Sequence, residues 1–421
     1  MPMLPRERII NTLNHKPVDR VPLDLGGTLC TGAHVSIIAK LRKVLGLDKK
    51  GKPVKVAEPY QMLGEAAIDL LEALEIDVIN LPGHRNFFGF ENTGWKPWRT
   101  FDGTNVLVPE KFNTEPEPNG SILQYPEGDK SAPASAKMPK GGFYFDTIIR
   151  QQPIDDSKLN PEDNLEDFVP VSEKDLMYYE KKASDLYNNT NYAIAAGFPG
   201  TAFGDIALVP APFLKNPRGI RDIEEWYVST ITRRNYIYEV FARQAETGLE
   251  NLKLIYQSVG NKIQVVFMDG TDLASQTSLF CGPDTYKELY LPHAKKLNDW
   301  IHKNTKWKTM KHCCGGCEPL IGGFIEAGYD ILNPVQCSAR GMDPELLVDK
   351  YGDRIIFWGG GVDTQKTLPF GNPDEVAEQV KERIKIFSRK NGFVFNTIHN
   401  IQCNTPVENL IAMYRALGRD I

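Results

Sequence analysis

The sequence predicts a (βα)8 barrel of the TIM type carrying a β-rich insertion in its N-terminal half. Three observations support this. Strand–helix units follow one another without a break through the second half, and polar residues come directly after the strands. The third is length: the chain has 421 residues, and such a barrel takes roughly 250 of them. Strands alternating with helices at this spacing pair in parallel. A doubly wound open sheet is the alternative architecture.

Taken in order, residues 65–74 read as a helix leading into a strand at 77–81. Residues 85–190 break the rhythm, with strand-like runs at 95–99, 105–108 and 121–125 separated by Asp102-Gly103, Asn119-Gly120 and Glu127-Gly128. Those dipeptides are hairpin signals, so this stretch reads as the insertion within a single 1–421 barrel domain. A strand follows at 191–196, and another at 263–268 is β-branched and aromatic. Residues 283–303 have helical apolar spacing behind Pro283, a favoured first-turn residue. Then come strand 308–312, helix 319–327 closed by Gly328, strand 329–334 and helix 344–351. The last units are strand 354–358, helix 373–389, strand 393–395 and helix 406–417.

Composition excludes several classes. Lys and Arg number 49 against 54 Asp and Glu, a formal net charge of -5, which does not suit nucleic-acid binding or a membrane surface. No apolar run approaches the ~20 residues of a membrane span. The N-terminal residues lack a signal-peptide pattern, so a cytoplasmic location is expected. Seven cysteines are no disulfide framework in so long a chain, yet three fall at positions 313, 314 and 317, beside His312.

His312-x-Cys314 ends a predicted strand, and alternation points both side chains the same way. Nitrogen and sulfur donors suit zinc. A third ligand is sought in 396–403, where His399 and Cys403 are both candidates. Two other readings compete: a dithiol pair at Cys314 and Cys317, or small buried thiols. Other strand ends carry Asp269, Asp272 and Gln276, then Asn333 and Gln336, then Asp363; His84 and Arg85 follow the strand at 77–81. At the C-terminal mouth of a barrel such residues point to catalysis or substrate binding. Gly359, Gly360 and Gly361 lack both a P-loop lysine and a dinucleotide spacing, which argues against ATP or NAD.

Several stretches carry a resemblance. They are Arg6-Glu7-Arg8-Ile9, Asp19-Arg20-Val21-Pro22-Leu23-Asp24, Asp272-Leu273-Ala274-Ser275-Gln276-Thr277 and His312-Cys313-Cys314-Gly315. Further on come Glu326–Pro334, Phe357-Trp358-Gly359-Gly360-Gly361-Val362-Asp363-Thr364, and Thr405-Pro406-Val407-Glu408-Asn409-Leu410. In these the chain resembles the uroporphyrinogen decarboxylase superfamily, and within it the branch of corrinoid-dependent methyltransferases. The true decarboxylases carry an Arg-rich loop for a polycarboxylate substrate; here residues 25–34 contain no Arg.

The resemblance implies zinc at His312, Cys314 and a later position that falls on His399 when counted back from Thr405-Pro406, with Cys403 the alternative. It implies methyl transfer from a small methylated donor to the cobalt of a separate corrinoid protein. Asp272, Gln276 and Asn333 would be catalytic, and His84, Asp269, Gln336 and Asp363 would bind substrate. Aromatic residues at 87–98 and 143–145 favour a methoxylated aromatic donor. No corrinoid-contacting Asp-x-His-x-x-Gly motif occurs in the chain, so the cofactor would come on a partner. A homodimer is compatible with the sequence. The competing functions are a metal-independent decarboxylase of a smaller acid, with Asp272 stabilising a protonated intermediate, and a zinc-dependent sensor without turnover.

Overall fold

The computed structural model describes residues 2–48 and 52–421. Seven strands form one sheet in spatial order from β1 to β7: β1 (Val78–Leu81), β2 (Ala193–Gly197), β3 (Val265–Asp269), β4 (Lys308–His312), β5 (Ile331–Asn333), β6 (Ile356–Trp358) and β7 (Phe393–Val394). Every neighbouring pair is parallel. Residues 22–24 fill the eighth position. Phe395 N–H donates to Pro22 O at 2.8 Å, Asp24 N–H to Phe395 O at 2.9 Å, and Asp77 N–H to Leu23 O at 2.8 Å. The two edges are thereby joined, so the sheet is a barrel, and the open-sheet alternative is set aside. Helices cover its outside.

Alternation sorts the strand residues into two cores. Val78, Ala193, Ala195, Val265, Met310, Ile331, Ile356, Trp358 and Val394 fill the interior. Ile9 and Leu13, from helix Pro5–Thr12 and its C-cap, join that interior cluster. Nearby, buried Asp77 accepts from Arg8 and, at 2.6 Å, from Arg20, while Arg8 also donates to Asp19 at 2.7 Å. The charged residues of the two N-terminal motifs are therefore spent on holding this helix and the closing segment.

Five helices of eight or more residues had no counterpart in the sequence pattern: Pro5–Thr12, Val35–Val44 and Glu173–Asn189, the last of them inside the stretch expected to be β-rich, and then a consecutive pair, Ile223–Thr232 and Arg234–Val259. The second of this pair has the required pattern, burying Ile237, Val240, Phe241, Ala245, Leu252, Ile255 and Val259. Gly248 allows its close approach to the loop after β2: a Cβ there would lie 2.2 Å from Gly200 O. The helix expected over 283–303 is broken into Pro283–Thr285, a π-turn at Tyr286–Tyr290 and Leu291–Asn304. Pro292 has no N–H for the preceding turn, and widening to a π-turn accommodates it.

A β layer lies beside the barrel. One sheet orders Leu63–Gly64, Val54–Glu58, Asn105–Val108 and Lys96–Arg99; another orders Ile122–Gln124, Ala136–Met138 and Asp146–Thr147. The first draws two strands from before residue 85. Phe88, Phe112 and Phe145 are fully buried, and Phe145 packs edge-to-face on both of the others. Much of the aromatic density in this region is the core of that layer.

Candidate metal centre at the barrel mouth

The same alternation that fills the interior builds the site. His312 follows Met310 by two residues, and Asn333 follows Ile331 by two, so both continue the inward-facing rows at the C-terminal end. Asn333 is fully buried; its Nδ2 donates to Trp358 O at 2.9 Å, which leaves Oδ1 as an acceptor facing His312 Nδ1 at 2.7 Å. His312 must therefore carry its proton on Nδ1, and the lone pair of Nε2 is free. Nε2 lies 3.4 Å from Cys314 Sγ and 3.9 Å from Asp272 Oδ1. Burial lowers the His312 pKa to about 4 despite the Asn333 bond, so the ring is neutral at physiological pH, as a ligand requires.

Two donor triads share His312: Asp272, His312 and Cys314, and Cys30, His312 and His399. Within each, the ligand atoms lie within 4.8 Å of one another. His399 meets His312 edge to face at 5.5 Å between ring centroids. Burial, with His312 beside it, holds the His399 pKa near 4. Burial and the Asp272 carboxylate push the thiols of Cys314 and Cys30 up, while burial raises Asp272 itself. Neutral imidazoles and thiols held beside one another fit a divalent cation with nitrogen and sulfur preference, whose charge would favour the thiolates. Cys403 is elsewhere: its thiol donates to Asp102 at 3.3 Å.

The loops around this cluster are tightly tied. Cys314 N–H donates to Asp272 Oδ1 at 2.6 Å, and Gly315 N–H to Gln336 Oε1 at 2.7 Å. Gly315 has φ +85°, and a Cβ there would lie 2.4 Å from Ala274 O. Gln276 and Gln336 both donate to Gln365 Oε1, at 3.1 and 3.4 Å, clasping three loops at the rim. Asp363 caps its own loop by accepting from Gln365 N–H at 2.6 Å.

Two expected site residues have other partners. A bulge in β3 shifts the register between Phe267 and Asp269, so Asp269 pairs with Lys311 instead of continuing the inward row. There its carboxylate binds the buried Lys311 ammonium and accepts from Tyr329 Oη at 2.6 Å. Lys311 is adjacent to His312 and points to the opposite face. His84 bonds Asp175 through Nδ1 at 2.5 Å and stacks on Tyr178 at 4.6 Å. The sequence pattern does not single out Cys30, because its nearness to His312 and His399 depends on how the barrel closes.

The fold and its mouth define the class: a closed parallel (βα)8 barrel with a nitrogen–sulfur donor cluster at the C-terminal ends of its strands. Comparisons with known proteins narrow this. The family model for uroporphyrinogen decarboxylase (URO-D) matches residues 219–419. A uroporphyrinogen decarboxylase of Geotalea uraniireducens (strain Rf4) is 24% identical over 256 residues, 60% of this chain and 68% of that protein. A methyltransferase from Methanosarcina mazei superposes with a TM-score of 0.56 over 99% of this chain and 98% of its own, at 14% identity. At that identity the likeness shows a common fold.

Proposed function

We propose that the protein is a zinc-dependent methyltransferase that takes a methyl group from a small methylated donor and passes it to the cobalt of a partner corrinoid protein. The observation that carries this reading is the His312 imidazole, fixed by Asn333 with its free Nε2 turned toward Cys314 and Asp272. The methyltransferase whose fold the chain shares is in keeping with it. The residues proposed to hold zinc are His312, Cys314 and His399. Bound there, zinc would supply Lewis acidity for the oxygen left behind when the methyl departs.

The chain's own groups do the rest. Asn333 keeps His312 in one tautomer and one orientation. Asp272 is half-exposed beside the donors, and its second carboxylate oxygen is free to orient or protonate a leaving group. The Phe267 ring, 5.9 Å from His312, supplies an apolar wall. Gln276 and Gln336, joined through Gln365, shape the rim. Donors are left as small methylated compounds, because Phe88, Phe90 and Phe145, three of the aromatics that favoured a methoxylated ring, are buried in the β-layer core.

Metal analysis of the purified protein and a demethylation assay with a cobalt(I) corrinoid test this reading. The donor panel contains methoxylated aromatics, methanol and methylamines. One zinc per chain and methylcobalt formation with at least one donor are expected. A metal-free protein, or one inert with every donor, overturns the proposal. Carbon dioxide release from a small carboxylic acid without corrinoid would instead favour the decarboxylase chemistry of the Geotalea relative.

A further inference from the structure

We propose that Cys30 is a fourth metal donor, so that the resting site is Cys2His2, with Cys30 and His399 entering from one side and His312 and Cys314 from the other. The inference rests on the zinc reading above and adds to it a ligand from the opposite end of the chain. Cys30 lies with His312 and His399 in a triad whose ligand atoms are within 4.8 Å of one another. Among the described residues no hydrogen bond uses the Cys30 thiol or either ring nitrogen of His399. Both are half-buried at the mouth, facing the one imidazole whose free nitrogen is defined.

The loop that carries Cys30 is built onto the loop that carries His399. Leu23 bridges Phe395 and Ala33 bridges Ile401, both in parallel, so the two segments pair before and after the donors. Between those bridges, Asn396 Nδ2 donates to Asp24 O at 2.9 Å and to Thr31 O at 3.1 Å. Asn400 Nδ2 donates to Leu29 O at 2.9 Å, and Asn400 Oδ1 accepts from Gly32 N–H at 2.7 Å. Two buried asparagines thus fix the backbone on both sides of Cys30 from the residues flanking His399. A thiol held this closely, with no hydrogen bond among the described residues, has the arrangement of a ligand whose loop supports its position. Zinc accepts a fifth ligand during reaction, so a fourth protein donor remains compatible with an entering oxygen.

The test counts thiolates. In the cobalt(II)-substituted protein, sulfur-to-cobalt charge-transfer absorbance per bound metal should fall to half of the wild-type value in C30S and equally to half in C314S. C403S should match the wild type. Zinc dissociation from C30S should rise at least ~10-fold. Should C30S not fold, the wild-type protein answers by alkylation with iodoacetamide and peptide mapping: zinc should protect both Cys30 and Cys314, and chelation should expose them. Absorbance in C30S equal to the wild type, or alkylation of Cys30 unaffected by zinc while Cys314 is protected, overturns this inference alone. Absence of metal from the wild type, or no protection of Cys314, overturns the zinc reading beneath it.

Discussion

Asn333 offers the sharpest test of how the site is positioned. Asn333→Ala removes two bonds at once, the 2.7 Å contact with His312 Nδ1 and the 2.9 Å bond to Trp358 O. Both partners are buried, and each orphaned group costs ~1–3 kcal/mol, so the variant should lose roughly 2–6 kcal/mol of stability in urea titrations. Loss of the tautomer restraint should weaken zinc binding ~10–100-fold, measured by competition with a chromophoric chelator. Asn333→Asp separates the two effects. It keeps an acceptor facing Nδ1 but sets a carboxylate oxygen against the Trp358 carbonyl. It should therefore lose stability while holding zinc better than the alanine variant. An Asn333→Ala protein that binds zinc as tightly as the wild type refutes the idea that this amide orients the ligand.

Four further outcomes are expected. Lys311→Met leaves Asp269 as a buried charge and should cost ~3–5 kcal/mol in chemical denaturation, largely recovered in Lys311→Met with Asp269→Leu; a single-variant loss below ~1 kcal/mol would show that the ion pair is dispensable. Burial raises Asp24 to about 6, although the Trp358 indole donates to it at 2.8 Å. The folded state therefore holds this proton more tightly than the unfolded chain, where the pKa is ~3.9. Its contribution is full below ~pH 4 and is lost as pH rises through about 6, roughly 3 kcal/mol in all. Wild-type stability should fall over that window relative to Asp24→Asn, and parallel curves would contradict the assignment. Gly315→Ala, at φ +85° with a Cβ 2.4 Å from Ala274 O, should cost ~1–3 kcal/mol and displace Cys314, read as weaker zinc binding at unchanged stoichiometry. Zinc should also slow amide exchange at Asp24, Phe395 and Ile401 more than within β3 and β4; uniform slowing would show that metal binding is not coupled to the seam.

Most of the barrel was legible because each strand–helix unit declares itself locally. β3, β5, β6 and β7 show β-branched or aromatic residues, whereas Lys308–His312 of β4 is the weakest strand signal of the five; the helices between them open on proline and repeat apolar residues every three or four positions. The closing segment at 22–24 was not legible as a strand: it is short and carries Pro22, and it pairs only through a single ladder rung with Phe395. The site divides in the same way. His312 and Cys314 could be placed on one face from their spacing alone, and Asn333 from the end of its strand. Asp269 and His84 show the limit of that reasoning. A one-residue bulge gave Asp269 to Lys311, and nothing in the run 265–269 marks the bulge. Polarity at a strand end identifies a residue near the mouth without saying which face it takes.

Cys30 was illegible for a deeper reason. Its relation to His399 depends on where the two ends of the barrel meet, hundreds of positions apart in sequence. The (βα)8 ring closes between residues 22–24 and Phe395, and the loops that leave this seam carry one proposed donor each. His312 and Cys314, by contrast, come from β4, on the far side of the ring. A metal bound by all four would therefore tie both sides of the closure to the middle of the sheet. Anything that binds the closed ring and not the open one stabilises it by RT ln(1 + L/Kd), where L is the free ligand concentration. The buried asparagines 396 and 400 already align the seam before a metal arrives, which lowers the entropy left for the metal to overcome. On this view the N-terminal motifs have a shared purpose: Arg8, Asp19 and Arg20 anchor the closing segment from below, so that Cys30 emerges at the mouth within reach of His312.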